Sequence, residues 1–378
     1  MPIEQVEPAQ ALALSLRYHA LIDARSPAEF ALDALPGAIN WPSLTNAQRE
    51  QVGTLYVQVG AFEAKKLGAA LVARNIAMHL EQYAAALPKD WQPLVYCWRG
   101  GNRSAALATV LGAIGFRVHV LRGGYKAFRG LVREQLSTLP LGLSWRVLAG
   151  PTGVGKTHVL HALQQQGAQV LDLEGLAQHR SSVLGLLPGT TQPSQKAFET
   201  RLWDTLRQLD RQRPVFVEAE SKRVGNVTVP ESLIAAMRQA PCVHLNLPMV
   251  QRVQLLMRDY AHFVHDVAPF CERLEALVSL CGGSLSRNGS KPRGAVRWAR
   301  PCKVCWRSTT TRATTSRLSA TLPSLRVAHT CRSWASSPRP CTAPRTRLLN
   351  GPTAWALKRG PRLGPNRLVN RPGLQARH

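Results

Sequence analysis

From Ala276 to His378 the chain contains no aspartate and no glutamate, although 20 of those 103 residues are lysine or arginine. Ordinary globular composition is ~25% charged with both signs present, so a stretch this long should hold about a dozen acids. The formal net charge of +26 is therefore a property of the tail. Residues 1–275 hold 28 basic and 22 acidic side chains and are only mildly basic. Other absences bound the class further. No apolar run approaches a membrane span, and the first twenty residues lack a basic segment followed by an apolar core. A soluble, unexported, cytoplasmic protein without membrane partners is expected. The eight cysteines lack the spacing of a disulfide framework, which suits a reducing compartment. No internal repeat is present.

At 378 residues the chain is long enough for two or three cores. Residues 1–136 mix short apolar runs with amphipathic stretches, and "STLPLGLS" (137–144) reads as a linker. Residues 145–283 open with a strand, a glycine loop and a helix, then alternate strand-like and helix-like runs, the pattern of an α/β domain. From 284 to 378 the periodicity is gone, and an irregular or disordered tail is expected.

Two loops carry chemistry. In "VYCWRGGNRSAAL" (95–107) an apolar run ends at Cys97, glycines and arginines follow, and a helix begins near Ser104. Glycines let the loop turn its amides inward, and the helix aims its positive end at the same point, which favours a thiolate. Cys97 is the candidate nucleophile, with Arg99 and Arg103 for an anionic reactant. The spacing Cys97-x5-Arg103 also suits a phosphatase loop, but no general acid can be assigned. A buried structural cysteine is the plain alternative.

The second loop lies in "WRVLAGPTGVGKTHVLHAL" (145–163) and fits G-x-x-x-x-G-K-[ST] between a strand and a helix. Gly150, Gly153 and Gly155 shape a phosphate cradle, Lys156 neutralises charge, and Thr157 is placed to take Mg²⁺. Downstream, "PVFVEAESKRVG" (214–225) puts Glu218 and Glu220 at a strand end, facing the phosphates through metal or water, or simply solvated. Asp172, Glu174, His179 and Arg180 in "VLDLEGLAQHRSS" (170–182) are of the same kind. No residue is assigned as a dedicated metal ligand.

"LIDARSPAEFALDALPGAINWP" (21–42) together with the Cys97 loop resembles the rhodanese family, in which such a cysteine carries sulfur or selenium. Asp23 and Arg25 either brace the loop or pair at the surface. A rhodanese domain followed by a P-loop domain resembles bacterial tRNA 2-selenouridine synthases. The resemblance covers about residues 3–281 and rests on "NAQREQVGTLYVQVGAFEAKKLGAALV" (46–72), "YCWRGGNRS" (96–104), "DLEGLAQHR" (172–180), "QPSQKAFE" (192–199), "VEAESKRVG" (217–225) and "RDYAHF" (258–263). It implies a transferase that replaces the sulfur of 2-thiouridine at the tRNA wobble position with selenium from selenophosphate, through a geranylated intermediate. Cys97 is then the essential thiol and Gly150–Thr157 the P-loop. Geranyl diphosphate and Mg²⁺ enter as implied ligands. A generic sulfurtransferase with a nucleotide-binding regulatory domain, and an RNA binder driven by the basic tail, are the rival readings.

Two departures stand out. Ser181 occupies a position where the family pattern has glycine. The family's C-terminal His-Tyr-Asp-Pro stretch is missing, and "STTTRATTSRLS" (308–319) stands in its place. Codons for His-Tyr-Asp-Pro-Gly-Tyr shifted by one base read Thr-Thr-Thr-Arg-Ala-Thr, the string from Thr309 to Thr314. The expectation is a frameshift soon after "LVSLCGG" (277–283), which would make the chain an inactive family member if the tail is needed. Cys302, Cys305, Cys331 and Cys341 have the spacing of no common zinc site.

Overall fold

Two runs without a charged side chain, Pro93–Tyr96 and Val147–Ala149, form the middle of two sheets, one parallel and one mostly parallel, in the computed structural model of the protein. Both are buried on both faces, as sheets covered by helices on each side require. The structure describes residues 3–13, 17–180 and 190–261, together with the backbone of 325–328.

In the first sheet β1 (Glu4–Val6), α1 (Pro8–Ala13), β2 (Ala20–Asp23), α2 (Pro27–Leu32) and β3 (Ala38–Asn40) come first. A helical hairpin follows, α3 (Asn46–Gln58) and α4 (Ala61–Tyr83), and then β4 (Pro93–Tyr96), α5 (Asn102–Ile114), β5 (His119–Leu121) and α6 (Gly124–Thr138). The strand order is β1-β5-β4-β2-β3, parallel throughout. Parallel neighbours need crossovers, and the helices supply them. One face packs Ile22, Val95, Leu107 and Leu111; the other packs Val6, Leu94, Tyr96 and Leu121.

The second sheet is built from β6 (Ser144–Ala149), α7 (Lys156–Gln165), β7 (Gln169–Leu171), α8 (Leu173–Ala177), α9 (Gln195–Arg207) and β8 (Pro214–Glu218). A ribbon, β9 (Arg223–Val224) and β10 (Val227–Thr228), precedes α10 (Glu231–Gln239), β11 (Cys242–Leu245) and α11 (Met249–Asp259). β11, β6, β8 and β7 are parallel in that order, and β12 (Leu325–Ala328) adds an antiparallel strand on the β11 edge. β12 is an element that the sequence pattern did not single out. The other expectations about the tail, and Ser181, lie outside the described residues.

Helix α6 joins the two sheets. Tyr125, Phe128, Val132 and Leu136 recur at helical spacing and are all buried in one core with Phe198 and Trp203 of α9. The Phe128 and Trp203 rings meet edge to face, 5.6 Å apart. Beyond α6, Leu139–Gly142 forms a short 3₁₀ turn, and Trp145 donates its indole N–H to the Pro140 carbonyl at 2.8 Å. Among the described residues no helix is long and apolar enough to cross a membrane.

Candidate functional site

Cys97 follows β4, the central strand of the first sheet, and α5 begins five residues later with Gly101 as its N-cap. The thiol is buried at 3% exposure. Its Sγ accepts a hydrogen bond from the Ser104 hydroxyl at 3.1 Å, and Ser104 itself is fully buried on the first turn of α5. The first turn of α5 thus presents both its N-terminus and a hydroxyl donor to the sulfur. The loop is pinned from below, because the amides of Tyr125 and Lys126 donate to the carbonyls of Cys97 and Trp98 at 2.8 and 2.9 Å. That approach requires glycine at position 124. Its φ is +57°, and a Cβ there would sit 2.3 Å from the Cys97 carbonyl oxygen.

The arginines of the loop separate in space. Arg99 is exposed on the loop, whereas Arg103 pairs with Glu29 at 2.9 Å. Asp23 and Arg25 form no surface pair. They are 0% and 1% exposed, and the guanidinium spans both Asp23 oxygens at 2.6 to 3.0 Å. Arg25 also donates to the Asp33 carbonyl at 2.6 Å and lies 3.8 Å from the Tyr125 ring centroid. The pair thus braces the floor beneath the cysteine loop.

In the second sheet the stretch Gly150–Thr157 leaves β6 and enters α7, whose N-cap is Gly155 at φ +85°. Lys156 Nζ donates back to the Gly150 carbonyl at 3.3 Å. The loop is closed over by α11, because a Cβ on Gly153 would meet Leu256 at 2.6 Å. A pocket of about 460 Å³ opens between the loop, the β8 end and α11. Gly150, Gly153, Gly155, Lys156, Thr157, Glu218 and Glu220 all line it.

β6 and β8 are direct neighbours with Leu148 opposite Glu218, so the acidic strand end lies beside the phosphate loop. Glu174, from α8, joins Glu218 and Glu220, with their carboxylate oxygens within 4.8 Å of one another. Burial foremost, then the Glu174 charge, pushes the Glu218 carboxyl up to about 8, against the hydrogen bond from Thr157. One Glu218 oxygen is buried without a hydrogen-bond partner. A hard divalent cation beside Thr157 would satisfy it, so this donor set fits Mg²⁺.

His158, His161 and Leu256 also line this pocket and were not singled out as site residues by the sequence, whereas Arg180 was. Arg252 of α11 donates to the Thr152 carbonyl at 2.7 Å, and Asp259 meets His158 at 3.0 Å. Arg180 donates to the Asp259 carbonyl at 2.9 Å and faces the Tyr260 ring. Asp172 has a structural duty as the cap of α8, accepting the Gly175 amide at 2.8 Å. Both loops follow the carboxyl ends of their strands. The start of α9 links the two halves: Gln195 binds Thr228 of β10, Ser194 donates to the Leu32 carbonyl of α2, and Lys196 Nζ lies 5.8 Å from the Trp98 ring centroid.

Comparison with known proteins matches both halves. A family model described as a rhodanese-like domain covers residues 7–131, and one described as the tRNA 2-selenouridine synthase AAA domain covers residues 143–276. The tRNA 2-selenouridine synthase of Aeromonas salmonicida is 38% identical over 245 residues, which is 64% of this chain and 65% of that protein. That of Shewanella denitrificans is 36% identical over 299 residues, 76% of this chain and 79% of the relative. The chain belongs to the tRNA 2-selenouridine synthase family. A rhodanese-related protein of Thermoplasma volcanium has a solved structure that covers 34% of this chain and 92% of its own, at 19% identity and TM-score 0.23. The match to the Aeromonas relative spans just under two thirds of that protein's length.

Of the stretches that carried the resemblance, 46–72 forms the α3–α4 hairpin, and the others fall at the Cys97 loop or at α8, α9, β8–β9 and α11. "QPSQKAFE" holds Gln192, which binds the Ala177 and Val224 carbonyls, and the start of α9. Of "RDYAHF", Arg258 to Ala261 close α11 above the P-loop, while His262 and Phe263 lie outside the described residues.

Proposed function

We propose that this chain is a tRNA-modifying transferase that replaces the sulfur of 2-thiouridine at the wobble position with selenium from selenophosphate, through a geranylated intermediate. The observation that carries the reading is a buried Cys97 loop and a P-loop pocket held together in one chain of this family. A wobble base must leave its stack to be worked on, and the surface beside Trp98 and Lys196 offers stacking and charge for such a base. Cys97 acts as nucleophile or chalcogen carrier, with the Ser104 hydroxyl and the α5 N-terminus holding negative charge on sulfur.

The P-loop amides and Lys156 hold a phosphate or diphosphate group. Thr157 with Glu218 would hold Mg²⁺, which supplies charge neutralisation at the phosphate oxygens. Alkylation of the thiocarbonyl sulfur releases diphosphate from the prenyl donor. The resulting prenyl thiolate leaves C2 of the uracil when selenophosphate adds there through selenium, and hydrolysis of the Se–P bond then releases phosphate and leaves the selenocarbonyl. The test is Cys97→Ser, assayed with thiolated tRNA. Loss of selenium incorporation with tRNA binding retained is expected, and full activity in that variant refutes the nucleophile role.

A further inference from the structure

Arg99 of the cysteine loop, Lys126 and Arg133 of α6, and Lys196 of α9 are all exposed, and among the described residues none of the four forms an ion pair. The acids nearby are already taken, Glu29 by Arg103 and Glu199 by Arg129. Lys126 and Arg133 are two turns apart on one face of α6, about 10 Å along its axis. Gly130 lies between them on that face, and no atom comes within 4 Å of the site of a Cβ there. Such a glycine costs helix stability, but it lowers the surface so that another chain can approach the helix backbone. Arg129, buried on the same helix, donates to the Lys196 carbonyl at 3.2 Å and so fixes the start of α9 beside this face. At the upper end stands Trp98, the residue after Cys97. Its carbonyl accepts the Lys126 amide, and its ring lies 5.8 Å from Lys196 Nζ. Tyr125 backs the ring at 5.4 Å between centroids, and Trp98 is only half-buried.

An open aromatic ring among uncompensated cations is complementary to an unpaired nucleic-acid strand, whose bases stack while its phosphates take the charge. A duplex offers the ring no base, and an acidic peptide leaves it uncovered. We propose that the strip from Trp98 along α6 to Arg133 is the track of the single-stranded anticodon loop, with a base next to the wobble position stacked on Trp98 and the adjoining phosphates at Arg99, Lys126, Lys196 and Arg133. This rests on the tRNA reading proposed above and assigns the path of the strand. The strand passes over Gly130, and the wobble base is left beside the Cys97 loop. The acid-free tail is a separate source of charge, because cations spread along a chain attract RNA without placing a base.

The experiment is photo-crosslinking of the full chain to an anticodon stem-loop RNA that carries plain uridine at the wobble position and 4-thiouridine beside it, followed by peptide mapping. Total affinity is not read, since the tail contributes to it. The crosslink is expected on the peptide that holds Trp98. Lys126→Gln, Arg133→Gln and Lys196→Gln combined should lower its yield by roughly fivefold or more. Lys65→Gln, Lys66→Gln and Arg74→Gln combined remove equal charge from α4, which packs on the opposite face of the first sheet, and should leave the yield unchanged. Gly130→Glu should give a clearly lower yield than Gly130→Gln, which has the same shape without the charge. Crosslinks confined to the tail, α4 or the P-loop, a yield untouched by the strip variant, an equal fall in the α4 variant, or equal yields from the two Gly130 variants would each overturn the assignment. Thermal melting of each variant reports an intact fold. The RNA has no sulfur at the wobble position, so the transfer chemistry is not read. Selenium incorporation by a chain that crosslinks elsewhere sinks the strip and spares the enzyme, and a Trp98 crosslink in a chain that incorporates no selenium does the reverse.

Discussion

Thr200 on α9 donates its hydroxyl to Asp33, the residue that ends α2 and lies 167 positions away in sequence, at 2.9 Å. The same Asp33 oxygen accepts the Tyr125 hydroxyl at 2.7 Å and lies 3.7 Å from Arg129, which also bonds Thr200 at 2.9 Å and pairs with Glu199. All of Asp33, Tyr125, Arg129 and Thr200 are buried. Tyr125 holds the carbonyl of Cys97, so this cluster ties the cysteine loop to the P-loop half.

Because the cluster is buried, removing one partner strands the others. Thr200→Val should cost about 1–3 kcal/mol, the range for a buried acceptor losing its donor. Asp33→Ala should cost about 3–5 kcal/mol, since it leaves Arg129 less compensated. Urea denaturation of the full chain measures both. A Thr200→Val loss under about 0.5 kcal/mol would show that the junction is held by apolar contact alone.

Two glycines of α6 should respond in opposite directions to the same change. Gly124→Ala forces a left-handed residue, about 1–2 kcal/mol, and drives its Cβ into the Cys97 carbonyl, about 1–3 kcal/mol more. Gly130 has nothing within 4 Å of the site of a Cβ, so Gly130→Ala should stabilise by up to about 1 kcal/mol through helix propensity. Thermal melting of the pair against the wild type decides it. The Gly124 variant should also change the rate at which iodoacetamide labels Cys97.

Glu218 makes the stability of the metal-free protein depend on pH. Its carboxyl sits at about 8 in the folded chain, above the ordinary value of an unfolded glutamate. The folded state therefore holds the proton more tightly, and the stabilisation is fully present below the unfolded value. It is lost as pH rises toward about 8. Melting temperatures recorded across that window should fall, and Glu218→Gln should flatten the fall. An unchanged slope in Glu218→Gln would move the effect to another group.

Both functional loops were legible because each is local: a strand, a glycine turn and a helix within about a dozen residues. Cys97, Gly150 and Lys156 stand where such motifs put them. Glu174 could be named from sequence but not placed, since it reaches Glu218 only because β7 lies beside β8. Asp33, Thr200 and Arg129 carry no motif. Their pairing depends on how α6 and α9 cross, which no residue pattern in either segment states. The closure of α11 over Gly153 is of the same nonlocal kind. β12 was hidden differently, because an antiparallel edge strand bonds through its main chain and leaves little side-chain signature.

The family match to the first half ends at residue 131, yet α6 continues to Thr138 and buries Val132 and Leu136 in the core it shares with α9. The unit of descent and the unit of cooperativity are therefore different objects in this chain. Inheritance treats the halves as separable modules, while the shared core calls for a single melting event in a thermal scan, because neither sheet can lose its partner without wetting the same helix.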